Sequence, residues 1–184
     1  MEDSIRVQPE DLGGEVEESV MSSLTLNVEG EIVEDMGVIL AVEEVKSIEG
    51  GEIQPEDAGI HYNVEFSAIV YEPELQEVVK GEVVDITSFG AFIRIGPLDA
   101  LCHVSQVMDE YVNLDEENDM LVSEEGDKAL EIGDVVTSRM IAVSLGNDDS
   151  NKVNLTTRQP GLGKRCWIEQ YEEEMEEEQE EEEE

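Results

Sequence analysis

Basic residues are scarce in this chain. Only 10 Lys and Arg stand against 49 Asp and Glu, which gives a formal net charge of -39 over 184 residues. Glu accounts for 12 of the 16 residues from 169 to 184, yet 37 acids against 10 bases remain in residues 1–168. Such an excess disfavours nucleic-acid binding by charge alone, because that binding depends on Lys and Arg contacts to phosphates.

The acidic excess leaves three interpretations: a disordered acidic chain, a ligand for basic proteins, or an adaptation to a cytoplasm with molar salt. Regular alternation of Val and Ile in residues 1–168 argues against disorder. Spread-out acids with only five lysines favour the salt adaptation. At about 1 M salt the Debye length is roughly 3 Å, so the surface repels itself little.

Cysteine, histidine and long apolar runs are also scarce. Cys102 and Cys166 have the spacing of neither a disulfide framework nor a metal site. His61 and His103 belong to no catalytic motif, so the sequence predicts a binding protein that is not a free-standing enzyme and needs no cofactor or metal. No apolar run reaches the length of a membrane span, and MEDSIRVQPE lacks the apolar core of a signal peptide. We therefore expect a cytoplasmic protein with no membrane partner.

Aromatic residues make up 4% of the chain, and its apolar residues are mostly Val, Ile and Leu, which favours strands. In residues 1–78, a short strand at Ile5 and Val7 precedes a helix whose apolar residues recur at Val16, Val20 and Leu24. Three strands follow, at residues 28–33, 38–42 and 62–70, with a loop at 48–59. The run at 38–42 predicts a strand covered on both faces. The first domain is therefore predicted to be a β-α-β-β-β unit, and the whole chain an α+β protein.

Pro73 interrupts the strand pattern near the predicted domain boundary, because proline cannot donate to a strand ladder. The second domain is expected at residues 79–168. Its sequence predicts short strands at about 78–86, 89–95, 98–104, 135–143 and 153–157, as in a five-stranded barrel of the OB type. Residues 109–127 are acidic and aperiodic, so we expect an inserted loop. The Glu-rich residues 169–184 are predicted to be a disordered tail.

The segment KGEVVDITSFGAFIRIGPLDALCHVS carries the candidate binding residues. Phe89 and Phe92 would point to opposite faces of a regular strand, and a bulge at Gly90 would bring both rings to one face. On that face they could stack RNA bases; otherwise one or both rings fill the barrel interior. His103 follows the next strand and is either structural or a contact to RNA.

Eight of the ten basic residues lie from position 80 onward, which assigns any nucleic-acid contact to the second domain. Lys80, Arg94 and Lys152 are the candidates there. Alternatively, each basic residue only neutralises a nearby acid.

GEVVDITSFGAFIRIGPLDALCHVSQVMDEYV resembles an S1 RNA-binding domain. With YEPELQEVVKGEV before it and LTTRQPGLGKRCWIE after it, the chain resembles the E-prime subunits of archaeal RNA polymerase, counterparts of the seventh subunit of eukaryotic polymerase II. The resemblance runs from about Arg6 to Ile168, and TSFGAF, HVSQ and RQPGLGK are its specific segments. The acidity resembles that of a haloarchaeal member. Ala100 departs from the Gly that S1 domains commonly have there, which implies a slightly altered turn.

The resemblance implies a truncated ribonucleoprotein-like N-terminal domain and an S1 barrel. It implies a non-catalytic stalk subunit that pairs with the F subunit of the polymerase, docks on the polymerase core and meets nascent single-stranded RNA near the exit path. Phe89, Phe92 and His103 match the residues that line the S1 binding face, and Lys152 lies where these domains place a basic residue. The alternative is a free-standing S1 protein of translation or RNA decay, which would surround its barrel with different domains.

Overall fold

The computed structural model describes residues 1–8, 16–34, 36–53, 59–115, 117–146 and 152–183. The chain divides into two compact units, Met1–Glu72 and Pro73–Glu184. This division falls at Pro73, at the start of the interval from Pro73 to Val79 in which we expected the boundary. Within the described residues, neither helix is both long and apolar enough to cross a bilayer.

The first unit is a four-stranded antiparallel sheet with one helix. Its strands have the order β1-β4-β3-β2, which confirms the predicted β-α-β-β-β sequence of elements. The elements are β1 (Glu2–Val7), α1 (Val16–Val28), β2 (Ile32–Val33), β3 (Gly37–Ile53) and β4 (Ile60–Tyr71).

Helix α1 packs one apolar face on this sheet. Val20, Leu24 and Val28 repeat every four residues, and all three side chains are buried in a cluster with Val64 and Phe66 of β4. This periodicity is the one that brings residues of a helix onto one face. Glu17 and Glu18 lie in the first turn, where the helix dipole favours negative charge.

Three details of the first unit differ from the sequence prediction. Val28 ends the helix instead of starting a strand. Val38 and Ile39 are buried but Leu40 is 43% exposed, so the run at 38–42 is not covered on both faces along its whole length. The predicted loop at 48–59 is strand as far as Ile53, which pairs with Ile60, and residues 54–58 lie outside the described residues. The glycines that suggested a loop instead accommodate a register shift between Gly50 and Glu52.

The second unit contains a closed five-stranded barrel. The strands of this unit are β5 (Val78–Thr87), β6 (Gly90–Ile95), β7 (Leu98–His103), β8 (Val112–Asp115), β9 (Met120–Ser123), β10 (Ala129–Glu131), β11 (Val135–Ser144), β12 (Lys152–Thr156) and β13 (Gly163–Lys164). The sheet order β12-β7-β6-β5-β11 closes through the pairing of β12 with β11, which confirms the predicted OB-type barrel.

Alternate residues of each barrel strand fill the interior. On β6, Ala91, Ile93 and Ile95 are buried, whereas Phe92 and Arg94 alternate with them and face outward. The other strands contribute a matching set of buried side chains: Val83, Ala100, Cys102, Val136, Met140, Val153 and Leu155. The interior is therefore aliphatic, and the phenylalanines are not needed to fill it.

The predicted loop at 109–127 contains two short strands, β8 and β9, which form a small antiparallel sheet with β10. Leu121 and Leu130 are its buried apolar residues. Its acids concentrate in the turns, where Asp115 accepts hydrogen bonds from the backbone N–H groups of Glu117 and Asn118 at 3.0 and 3.3 Å. The Asn118 amide also donates to Asp115, and this hydrogen bond lowers the pKa of the carboxyl. Turn chemistry therefore masked the short strands.

The Glu-rich tail, expected to be disordered, is helical as far as Glu183 in helix α2 (Arg165–Glu183). Its first turn is attached to the barrel, since the Trp167 ring lies against Gly163, and within the helix Arg165 pairs with Glu169 at 2.7 Å. Glu has a good intrinsic helix propensity, so a helix anchored at one end extends into the charged run. The charge pattern alone gave no sign of that anchor.

Candidate nucleic-acid interface

The outer face of β6 and β7 collects the candidate binding residues. In an antiparallel ladder, directly opposed residues point to the same side of the sheet. Phe92 lies opposite Leu101, and Gly90 lies opposite His103. Since Phe92 faces outward, Leu101 and His103 face outward beside it.

Phe89 and Phe92 share this face, but for a different reason than the one predicted. The ladder is regular from Gly90 to Ile95, so no bulge occurs at Gly90; the register shift lies in β5, between Val83 and Asp85. Phe89 belongs to the turn of the β5–β6 hairpin, where strand alternation does not apply. Its ring meets the edge of the Phe92 ring, with centroids 6.0 Å apart and planes at 89°.

The two rings are accessible to a ligand. Phe89 is 47% exposed, and Phe92 is partly exposed. Neither ring fills the barrel interior, which excludes the alternative that the sequence left open. Exposed aromatic rings on a barrel face are able to stack nucleic-acid bases.

Gly90 allows the β5–β6 turn and the end of β7 to approach closely. Its φ of 154° lies outside the range that side-chain-bearing residues favour, and a Cβ here would collide with the Cys102 carbonyl oxygen and approach His103 Cα to 2.9 Å. The Val104 N–H donates to the Phe89 carbonyl oxygen at 2.9 Å, which ties the two segments together. Gly90 thus places His103 beside the aromatic pair.

His103 ends β7 and caps a short 3-10 turn, Val104–Gln106. The imidazole is exposed, and its Nδ1 lies 2.9 Å from Ser105 Oγ and 3.3 Å from the Ser105 backbone N. Its neighbour Cys102 points the other way, into the barrel, where burial raises the pKa of the thiol to about 11. Cys102 is therefore a packing residue.

The three predicted basic contacts lie on the outer face, toward the other end of the strands. Arg94 is two residues beyond Phe92 on β6, and its Nε and Nη2 donate to the two carboxylate oxygens of Asp99 at 2.8 and 3.0 Å. Both side chains are exposed, so this pair orients the guanidinium more than it stabilises the fold. The Asp99 hydrogen bond raises the pKa of Arg94 above its ordinary value.

Lys80 and Lys152 are exposed and form no ion pair with any described residue. Lys80 faces outward on β5, because its neighbour Gly81 is buried. It lies five residues before Asp85, and Asp85 pairs with Phe92. At about 3.3 Å per residue, Lys80 lies roughly 16 Å along the strand from that pair. The structure thus brings Phe89, Phe92 and His103 together and leaves the basic residues farther along the same face.

Sequence reasoning missed Asn154 on this face. Asn154 pairs with Leu101, which pairs with Phe92, so the three side chains form one row across β12, β7 and β6. Burial of Val153 and Leu155 leaves Asn154 facing outward. The alternation of Val153, Asn154 and Leu155 in the sequence was the signal that could have found it.

The other basic residues of the barrel unit mostly bind acids. Four ion pairs have lengths of 2.7–3.4 Å: Lys128 with Glu110, Arg158 with Asp109, Lys164 with Asp134 and Arg165 with Glu169. For these residues the neutralising role is correct. Over the described ranges, no group of three or more His, Cys, Asp or Glu is arranged to hold a metal ion.

Comparison with known proteins identifies the two units. Residues 2–58 match the SHS2 domain found in the N terminus of Rpb7p/Rpc25p/MJ0397, and residues 72–155 match the S1 RNA binding domain. DNA-directed RNA polymerase subunit Rpo7 of Sulfolobus acidocaldarius is 33% identical over 166 residues, covering 90% of this chain and 91% of that protein. The chain belongs to the Rpo7 family of RNA polymerase subunits.

Two other relatives define the limits of this family assignment. RNA polymerase II subunit RPB7 of Saccharomyces cerevisiae is 31% identical over 97 residues, 52% of this chain and 57% of that protein, which confirms the predicted eukaryotic counterpart. Polyribonucleotide nucleotidyltransferase of a Chelativorans species is 32% identical over 151 residues, but these are only 18% of that protein. The Rpo7 match covers about nine-tenths of both chains, whereas the nucleotidyltransferase match covers a small part of that protein, which favours the Rpo7 family over an RNA-decay protein.

Proposed function

We propose that this chain is the non-catalytic stalk subunit of a cytoplasmic RNA polymerase, that it pairs with the F subunit of that polymerase, and that its barrel binds nascent single-stranded RNA. The observation that supports the RNA contact is the accessible edge-to-face pair of Phe89 and Phe92 beside His103. Membership of the Rpo7 family supports the place on the polymerase core. In this proposal, the chemistry of RNA synthesis belongs to other subunits.

Stacking carries most of the proposed RNA affinity. Arg94 is paired with Asp99, and Glu82 lies opposite Arg94 on β5, so the basic residues of this face are offset by acids. Each base stacked on an aromatic side chain contributes about 1–3 kcal/mol of binding free energy, and this contribution does not require net positive charge. Lys80 and Lys152 supply the remaining phosphate contacts.

We further propose that the acidity adapts the protein to a salt-rich cytoplasm, as in a haloarchaeon. With a net charge of -39, the protein repels RNA at low ionic strength. At about 1 M salt this repulsion is screened within roughly 3 Å, so stacked contacts are able to form. The acidity and the aromatic face are then compatible.

Affinity purification from native cells in high salt tests the assembly. We expect a tagged chain to recover the large polymerase subunits together with one small partner, after nuclease treatment as well as before it. A Phe89→Ala, Phe92→Ala variant serves as the matched control, because it should lose RNA binding and still assemble. Recovery of ribosomal or RNA-decay proteins without polymerase core subunits would support the free-standing alternative and reject the proposal.

A further inference from the structure

Two groups of Ser105, its side-chain hydroxyl and its backbone N–H, lie within hydrogen-bond distance of the His103 ring. Its Nδ1 lies 2.9 Å from Ser105 Oγ and 3.3 Å from the Ser105 backbone N. The backbone contact is part of the 3-10 turn at Val104–Gln106, which His103 caps with its side chain. The turn therefore fixes both the position and the rotation of the imidazole.

These two contacts differ in what they allow. A serine hydroxyl is able to donate or accept, but a backbone N–H only donates. The Ser105 N–H therefore favours an unprotonated Nδ1, and the hydroxyl, at the shorter distance of 2.9 Å, then donates to the same nitrogen and supplies the stronger of the two hydrogen bonds. A neutral imidazole with a free Nδ1 carries its proton on Nε2.

Nε2 is the part of the ring that remains for a ligand. His103 is exposed, and within the described ranges the only hydrogen-bonding partner of its ring is Ser105. His103 also faces the same side as Phe92, because Gly90 pairs with it and Phe92 pairs with Leu101. An N–H donor therefore stands beside the proposed stacking surface.

We propose that Ser105 is a positioning residue that holds His103 in the tautomer with the proton on Nε2, so that the ring donates a hydrogen bond to an acceptor atom of the bound RNA. This inference rests on the proposed RNA binding and adds to it the chemical group that His103 recognises. The acceptor is a phosphate oxygen or an acceptor atom of a base. A histidine that contacted RNA only by stacking would not depend on its tautomer.

Nitrogen-15 NMR of the imidazole groups in the free full-length protein tests whether Ser105 holds the His103 tautomer. We expect the His103 signals, assigned by their loss in His103→Gln, to show protonated Nε2 and unprotonated Nδ1. Ser105→Ala keeps the backbone N–H contact at 3.3 Å but removes the hydroxyl, which is the shorter contact at 2.9 Å, and should shift the signals part of the way toward a mixture of tautomers, whereas Ser105→Thr should preserve the pattern. An unchanged pattern in Ser105→Ala would overturn the proposal.

RNA affinity in high salt, measured with a short fluorescent oligonucleotide, tests whether that tautomer contributes to RNA binding. We expect Ser105→Ala to weaken binding by about two- to ten-fold, the effect of one hydrogen bond, and Ser105→Thr to restore it. Ser4→Ala in the first unit is the matched serine control. A shift of tautomer with no change in affinity would also overturn the proposal.

Two further comparisons keep the outcomes separate. Oligonucleotides with single methylphosphonate linkages or single abasic sites identify the acceptor: the one that cancels the Ser105→Ala effect carries it. If the wild-type chain binds no RNA, the proposed function fails and the RNA half of this inference fails with it, while the NMR result still decides the role of Ser105.

Discussion

Replacing Phe89 and Phe92 together with alanine is expected to weaken single-stranded RNA binding by about 30-fold or more. Each ring that stacks a base contributes about 1–3 kcal/mol, and a loss of about 1.4 kcal/mol corresponds to a tenfold change in affinity. Both rings lie outside the barrel core, so the fold should survive the change. The measurement is a titration of labelled oligonucleotide at about 1 M salt, where charge repulsion is screened.

The two single variants sharpen this test. The rings contact each other edge to face at 6.0 Å, so removing one leaves the other less well held. Effects at contacting residues are generally not additive, and we expect the double variant to lose less than the sum of the singles. Tyr111→Ala is the matched control, because Tyr111 is an aromatic residue of the same unit, 82% exposed, that lies outside this face. Equal affinity of the double variant and the control would contradict the stacking account.

Gly90→Ala is expected to destabilise the barrel unit by roughly 3 kcal/mol or more, because steric overlap and an unfavourable φ act at one position. The new Cβ would collide with the backbone of Cys102 and approach His103 Cα, and backbone atoms on a paired strand are not free to move. Denaturant unfolding in constant high salt measures the loss, followed through Trp167, whose ring lies against Gly163 in this unit.

Gly96→Ala provides the control for the glycine position. Gly96 also has a positive φ, of 65°, but a Cβ there meets nothing within 4 Å. We expect it to cost only about 1–2 kcal/mol, the conformational cost of a left-handed residue. If Gly90→Ala and Gly96→Ala destabilise the unit equally, the close approach at Gly90 has no structural importance.

Strands with strict alternation were predictable from the sequence. Tyr62 to Val70 alternates outward and inward residues, and β4 occupies that stretch with Val64 and Phe66 buried. The barrel strands β5, β6 and β7 follow the same rule, since each buries one face only. Period-two patterning is a local property, so sequence alone is sufficient to find it.

Elements that depend on distant contacts were not predictable in this way. The strand at 48–53 is stabilised by pairing with β4 across bulges, and the helix after Arg165 is anchored by Trp167 on Gly163. In the small sheet of β8, β9 and β10, the strands have only three or four residues, and the acidic turns between them gave the stronger sequence signal. In each case a partner elsewhere in the chain decided the conformation.

The RNA-binding role of the candidate residues stays a prediction, and the structure tests only their arrangement. Phe89, Phe92 and His103 do share a face, but the hairpin turn, and no bulge, places Phe89 there. The pairing of Arg94 with Asp99 and the row that contains Asn154 follow from strand register, which one-dimensional spacing does not reveal. Strand register therefore determined which residues are neighbours on this face, and the sequence did not reveal it.

Photo-cross-linking in the assembled polymerase tests the central claim most directly. A photoreactive phenylalanine analogue at position 92 retains an aromatic ring on the outer face of β6, and the same analogue at position 111 is the control. In elongation complexes with labelled RNA, we predict cross-links from position 92 once the transcript is long enough to leave the core, and few from position 111. No cross-link from position 92 at any transcript length, or equal yields at both positions, would contradict the proposed RNA contact.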